Sequence, residues 1–205
     1  MKIVNKILAA VLLTAGIYVN VYAQAAVEVK YNISPQSKLY LEGTSTLHNF
    51  TINAKEIEGY LIVNKEGSTT NNGQEKIWEM KVIVPVKKLD TDKSSMNDNM
   101  DEALKADKAP DITYELKSTG GGNLFGSAGD STKLETTGIL TIAGVSKQIK
   151  MTVNGFRSKD GLLHFNGAKT VKMTDFGVTP PTMFFGAIRT GNNITVNFNI
   201  VLSSK

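Results

Sequence analysis

The stretch GILTIAGVSKQIKMTV, from Gly138 to Val153, constrains the fold more than any other part of this chain. Two apolar segments that alternate with polar residues are joined by a short turn containing Ala143 and Gly144. In the second segment Ile149, Met151 and Val153 share one face, while Lys150, Thr152 and Asn154 share the other. A period of two is the pattern of a half-buried strand, so the pair predicts an antiparallel hairpin with one greasy face. The same design recurs along most of the chain. Lys38 to Ser45 places Leu39 and Leu41 on one face, and Asn49 to Ala54 places Phe50 and Ile52 there. Ile57 to Val63 is apolar on parts of both faces, and Ile77 to Val86 alternates through Trp78, Met80, Val82, Val84 and Val86. Asp111 to Ser118 offers Ile112, Tyr114 and Leu116. Leu162 to Thr174 offers Leu163, Phe165 and Val171 with a change of phase near Gly167, and Asn193 to Leu202 offers Val196, Phe198, Ile200 and Leu202. Regular short strands of this kind predict an all-β, antiparallel protein, and the periodicity suits a sandwich or a barrel equally.

One segment breaks the rule. In Ser94 to Ala106 the residues Met96, Met100 and Leu104 recur every four positions, which predicts a single amphipathic helix, capped by a Ser95–Asp98 pair and ended before Pro110. Two polar, small-residue stretches, Glu66 to Gly73 and the glycine-rich Ser118 to Ser131, read as hairpin connections.

The N-terminus carries Lys2 and Lys6, then an apolar run to about Val21, then Ala23 and Ala25. This is the pattern of a secretory signal peptide over residues 1–25, with cleavage after Ala23 or Ala25, since the apolar run is shorter than the ~20 residues that span a bilayer. The expected mature chain, 26–205, is one domain of a size that encloses a sizeable core or cavity, exported to a periplasmic or extracellular location. The absence of cysteine excludes disulfides, thiolate metal sites and lipid attachment at cysteine. With Lys2 and Lys6 removed, the formal charge of +4 falls to about +2, without a basic block, which argues against nucleic acid as a partner.

Catalytic chemistry finds little to work with. The only histidines are His48 and His164, with no paired spacing on one element that would mark a metal site. Ser127 lacks the first glycine of a nucleophile elbow, because Phe125 stands there. Asp175-Phe176-Gly177 matches a kinase triplet in letters alone, without the other kinase motifs.

An ordered set of features from about Tyr31 to Leu202 resembles the YceI-like, polyisoprenoid-binding family. The set comprises Gly43-Thr44-Ser45 with His48 and Phe50, and the helix residues Met96, Asn99, Met100, Ala103 and Leu104. It continues through Ala109-Pro110-Asp111-Ile112-Thr113-Tyr114, the Gly138–Val153 hairpin, and Asp175-Phe176-Gly177-Val178 with Pro180 and Pro181. The order is more specific than any single piece. The chain departs from the family in reading Gln36-Ser37 where many members carry His-Ser, and in its extended glycine-rich stretch.

The resemblance implies an extended, lipocalin-like antiparallel barrel of about eight strands, with one short helix beside it and an isoprenoid-type lipid inside, such as a polyprenol, polyprenyl phosphate or quinone. Trp78, Met80, Val82, Met100, Leu104, Tyr114, Phe165, Phe176 and Phe198 would then line the interior and hold the lipid. His48, Lys172 and Arg189 are the candidates for head-group contacts. No cofactor is required on this reading, no catalytic or metal residue is assigned, and transient membrane contact is expected. Two readings compete with it. The same apolar faces suit a solid core, giving an envelope interaction protein without cargo, and a lipid-modifying enzyme would draw on His48 or His164.

Overall fold

The computed structural model describes residues 27–65, 75–120, 129–183 and 185–204. Twelve strands and one helix follow in the order β1 (Val27–Ile33), β2 (Lys38–Ser45), β3 (Asn49–Ala54), β4 (Glu58–Lys65), β5 (Glu75–Pro85), β6 (Leu89–Asp90), α1 (Ser94–Ala103), β7 (Asp111–Gly120), β8 (Thr132–Ile142), β9 (Val145–Arg157), β10 (Leu163–Lys172), β11 (Thr182–Met183) and β12 (Ile188–Ser204). The expected signal peptide, the Glu66–Gly73 connection and most of the glycine-rich stretch lie outside the described residues.

All ladders are antiparallel. The strands run β1-β4-β5-β7-β8-β9-β10-β12, and β1 pairs with β12, so eight strands close into a barrel rather than a sandwich. Closure satisfies the backbone groups that an open sheet would leave at its edges. Strand β12 is the seam. One edge pairs with β10 from Leu202 back to Asn193, while the other is divided between β2, from Thr190 to Asn199, and β1, from Leu202 to Ser204. From that division β2, β3 and β6 flare away as an extension of the wall.

The division is held by serines. The Ser37 hydroxyl donates to the Val201 carbonyl (3.1 Å) and accepts from the Val201 N–H (2.9 Å), and the Ser34 N–H donates to the same carbonyl (2.8 Å). Ser37, at the Gln36-Ser37 departure from the family pattern, thus covers the backbone groups of β12 where neither β1 nor β2 reaches them.

The hairpin from Gly138 to Val153 forms as expected. Ile142 pairs with Val145 across a two-residue turn in which Ala143 (φ 50°) and Gly144 (φ 80°) both take the left-handed conformation, the geometry that matches strand twist. Ala143 is buried with Phe176 and Val178. The helix is shorter than expected. It starts from Lys93 without a side-chain cap and ends at Ala103, with Leu104 as the C-cap and Lys105 at φ 57°; the Ser95–Asp98 cap does not form. Strand β5 also departs from simple alternation. The β4–β5 register slips between Ile62↔Glu79 and Val63↔Ile77, an irregularity that puts Ile77 in phase with Met80, Val82 and Val84.

One end of the barrel is packed solid by a cluster that includes Tyr31, Leu61, Leu134, Leu163, Phe165 and Leu202. The other end is covered by α1 and by the 3-10 turn Met173–Phe176. Replacing Ser37 by Ala removes both hydroxyl bonds at the seam and leaves the Val201 N–H without its partner. Chemical denaturation is expected to show a loss of about 1–3 kcal/mol, with an unchanged slope against denaturant.

Candidate functional site

Inward-facing side chains leave space between the two ends. An inner chamber of about 140 Å³ lies beside the packed end, and an outer chamber of about 360 Å³ lies under α1 and the flared strands. The two share the walls formed by Leu41, Leu89, Ile112, Ile142, Val171 and Val196. Six aliphatic residues therefore stand between the two cavities and form a neck common to both.

The inner wall follows from alternation. Leu140 and Ile142 on β8, Ile149, Met151 and Val153 on β9, and Val196, Phe198 and Ile200 on β12 all face it. Polar exceptions are satisfied or hidden. The Thr136 hydroxyl donates to the Met151 carbonyl (2.9 Å). The Tyr114 ring lies over Gly138, where a Cβ would sit 2.4 Å from ring carbons. Its hydroxyl is the one buried side-chain polar atom without a hydrogen-bond partner among the described residues. Burial pushes the Tyr114 phenol pKa up, with Thr136 opposing, so the group stays neutral. The expected change of phase near Gly167 does not occur, since β10 pairs with β12 without a slip; Lys169 shares the inward phase of Phe165 and Val171, and its stem lines the chamber. Its ammonium donates to the Lys150 carbonyl (2.8 Å), beyond the point where the β9–β10 ladder ends at Asn166↔Asn154.

The outer chamber has apolar depth and a polar rim. Met100, Ala103 and Leu104 of α1, Phe50 and Ile52 of β3, and Phe176 line it, with Ser45, His48, Thr91, Lys93 and Asn99 also on its wall. The helix is fixed by one network. Asn97 Nδ2 donates to Asp90 (2.8 Å), and the Thr91 N–H and hydroxyl both donate to Asn97 Oδ1 (2.9 and 2.7 Å). Asp90 also accepts the Asp92 N–H (2.9 Å) and lies 3.2 Å from the Lys55 ammonium. The Asn97 amide foremost, then the Asp92 N–H and Lys55, lower the Asp90 pKa from 3.8 to about 2.

The residues singled out from the sequence fall into three groups. Met80, Val82, Tyr114, Phe165 and Phe198 line the inner chamber, and Met100, Leu104 and Phe176 line the outer one. The Trp78 side chain lies outside the described residues. Of the three polar candidates, His48 lines the outer chamber, whereas Lys172 and Arg189 are exposed and stand off both linings. His164 stacks on Phe156 (4.5 Å between ring centroids), away from His48. Among the described residues no three His, Asp or Glu side chains are grouped to hold a metal ion.

The Gly43-Thr44-Ser45 and His48 pattern acquires a structural meaning. Gly43 leaves room for the Phe50 ring, which a Cβ would meet at 2.3 Å. The Ser45 hydroxyl donates to the His48 carbonyl (2.9 Å) and accepts the His48 N–H (3.2 Å), tying off the β2–β3 turn. Lys169 and the aliphatic neck were not anticipated. The lysine lies in phase with Phe165 and Val171, but a charged residue on an inward face is not read as lining, and the neck depends on which strands become neighbours.

Residues 31–202 match the YceI-like domain. No curated protein sequence matches this chain. Among solved structures, a polyisoprenoid binding domain from Saccharophagus degradans implicated in plant cell wall breakdown is similar at 14% identity and a TM-score of 0.64, over 86% of this chain and 99% of that one. Burkholderia cenocepacia BcnA is similar at 17% identity and a TM-score of 0.58, over 82% and 97%. A Campylobacter jejuni YCEI protein is similar at 21% identity and a TM-score of 0.53, over 75% and 84%. At these identities the likeness carries the fold.

The Asp90 carboxylate is more acidic in the fold than its ordinary value of 3.8, so the stability it contributes is present above about pH 4 and is lost as the pH falls towards 2. Asp90→Asn is expected to flatten that part of the acid profile in thermal unfolding followed from pH 5 to pH 2.

Proposed function

This chain belongs to the YceI-like domain family, and on that footing we propose that it is a non-catalytic binder of a long-chain isoprenoid-type lipid, which it encloses in the two joined chambers. The observation that carries this reading is the neck. Six aliphatic residues wall both the inner apolar chamber and an outer one whose volume, about 360 Å³, falls in the range of small-molecule sites. A flexible chain of branched five-carbon units suits a passage that runs through both chambers.

The energetics are those of burial. Each methylene moved from water into an apolar site is worth about 0.8 kcal/mol, so a few isoprene units outweigh the cost of ordering the chain. The wall grips without specifying, since the Tyr114 hydroxyl is tucked against the barrel and Thr136 is bonded to backbone. Head-group preference falls to the rim of the outer chamber, where His48, Lys93 and Asn99 stand. The methionines Met80, Met100 and Met151 supply adaptable surface along the passage.

The basic, apolar and small-residue pattern of the first 25 residues supports export, and the reading places this binding in the cell envelope, for storage, transport or protection of the lipid. The thin supply of nucleophile–base pairs supports binding over turnover, as does the placement of His48 at the rim with His164 stacked elsewhere.

Two measurements test the reading. Protein purified from its native host without detergent is expected to show a stoichiometric long-chain apolar adduct by native mass spectrometry, recoverable by organic extraction. A clean unliganded mass, with no uptake of added polyprenols or quinones, would sink the carrier and leave the interaction protein. Val196→Trp fills the neck, and is expected to reduce uptake of long chains at least tenfold while sparing short ones that fit the outer chamber. Equal loss of both lengths, or of neither, contradicts a continuous passage.

A further inference from the structure

Three large hydrophobic side chains are exposed among the described residues, Tyr40, Leu47 and Phe185, and the latter two stand out at 68% and 114%. Both belong to turns at the outer chamber. Leu47 is the tip of the β2–β3 turn and itself lines that chamber; Phe185 is in the short connection between β11 and β12, just before Ile188, which also lines it.

These two tips are tied side by side. The Thr46 N–H donates to the Arg189 carbonyl (3.0 Å), and the Thr46 hydroxyl accepts the Arg189 N–H (3.3 Å) and reaches the Ala187 carbonyl (3.4 Å). Phe185 is held at φ 54°, a left-handed conformation that bulky side chains rarely adopt. A fully exposed ring in strained backbone gains nothing for the fold, and such features mark sites of interaction. Arg189 is exposed, and its Nε–H donates to the Gly186 carbonyl (3.0 Å), which fixes a cation at the base of the Phe185 turn. Lys93 adds another on the wall of the outer chamber.

We propose that Leu47 and Phe185 are a membrane-docking pair. The two side chains insert between the acyl chains of a bilayer, Arg189 and Lys93 meet the phosphates of its head groups, and the outer chamber is thereby presented to lipid. An apolar wedge with basic residues at its base fits the bilayer interface, where apolar insertion and attraction to anionic lipid act together. It also solves a physical problem of the binding reading, on which it rests: a long apolar cargo reaches the passage without crossing water.

The test is co-flotation of the full mature chain with vesicles of phosphatidylethanolamine and phosphatidylglycerol, beside loading from detergent-dispersed polyprenol. Wild type is expected to float. Leu47→Ser with Phe185→Gly is expected to lower the bound fraction about tenfold or more, the loss of two buried apolar side chains, while Phe185→Gly alone, at a residue outside both chamber linings, leaves loading from detergent unchanged. Glycine suits the positive φ at position 185, so Phe185→Gly alone guards against misfolding and is expected to give an intermediate loss with an undiminished thermal midpoint. Loading without flotation of wild type, or flotation of the double variant equal to wild type, overturns the docking pair, and the first result points instead to a protein partner at these tips. Absence of both flotation and loading overturns the binding reading with it.

Discussion

A single strand, β12, decides the shape of this molecule. Its edge towards β10 is paired over ten residues, but its other edge must serve two partners, β1 at the far end and β2 nearer the start. A strand shared in this way closes the barrel tightly where β1 meets it and lets the wall flare where β2 does. The packed end and the outer chamber are both consequences. Ser37 and Ser34 stand at the point of division, where a backbone group without a partner would otherwise weaken the seam.

Closure then turns a simple side-chain rule into an enclosed space. Each strand sends alternate residues inward, and around eight strands those residues meet across the interior. Near the packed end they touch, as Leu61, Leu134 and Leu163 do. Further along, the flare of β2 and β3 draws one wall away, and α1 is laid across the gap without filling it. The Asp90–Asn97–Thr91 network holds the helix by its polar side, which leaves Met100, Ala103 and Leu104 to form the chamber wall. The apolar lining and the opening at the rim thus arise from the same departure from a regular barrel.

Much of this is legible residue by residue. Alternation over Gly138 to Val153 identifies the hairpin, and the same pattern finds the inward set of β12. What is missed has physical reasons. Strand β1 alternates through Val27, Val29, Tyr31 and Ile33, but it directly follows the leader-like segment and pairs with residues some 170 positions away. Strands β6 and β11 are two residues long and carry no period. The helix ends at Ala103, and Lys105, just past the Leu104 cap, takes the left-handed region with no glycine to announce it; the slip in β5 beside Trp78 is a bulge that only pairing with β4 reveals. The site divides in the same way: inward residues follow from period, whereas Lys169, the neck and the tied tips of Leu47 and Phe185 depend on which strands become neighbours.

On the proposed reading the apolar interior is a passage filled by a chain, rather than a core packed imperfectly. A crystal structure of the protein purified from its native host without detergent tests this most directly. Continuous, elongated density is expected from beneath α1, past Val196, into the chamber lined by Met151 and Phe198. Side chains collapsed across the neck, with no density on either side of it, would mean a packed core without cargo.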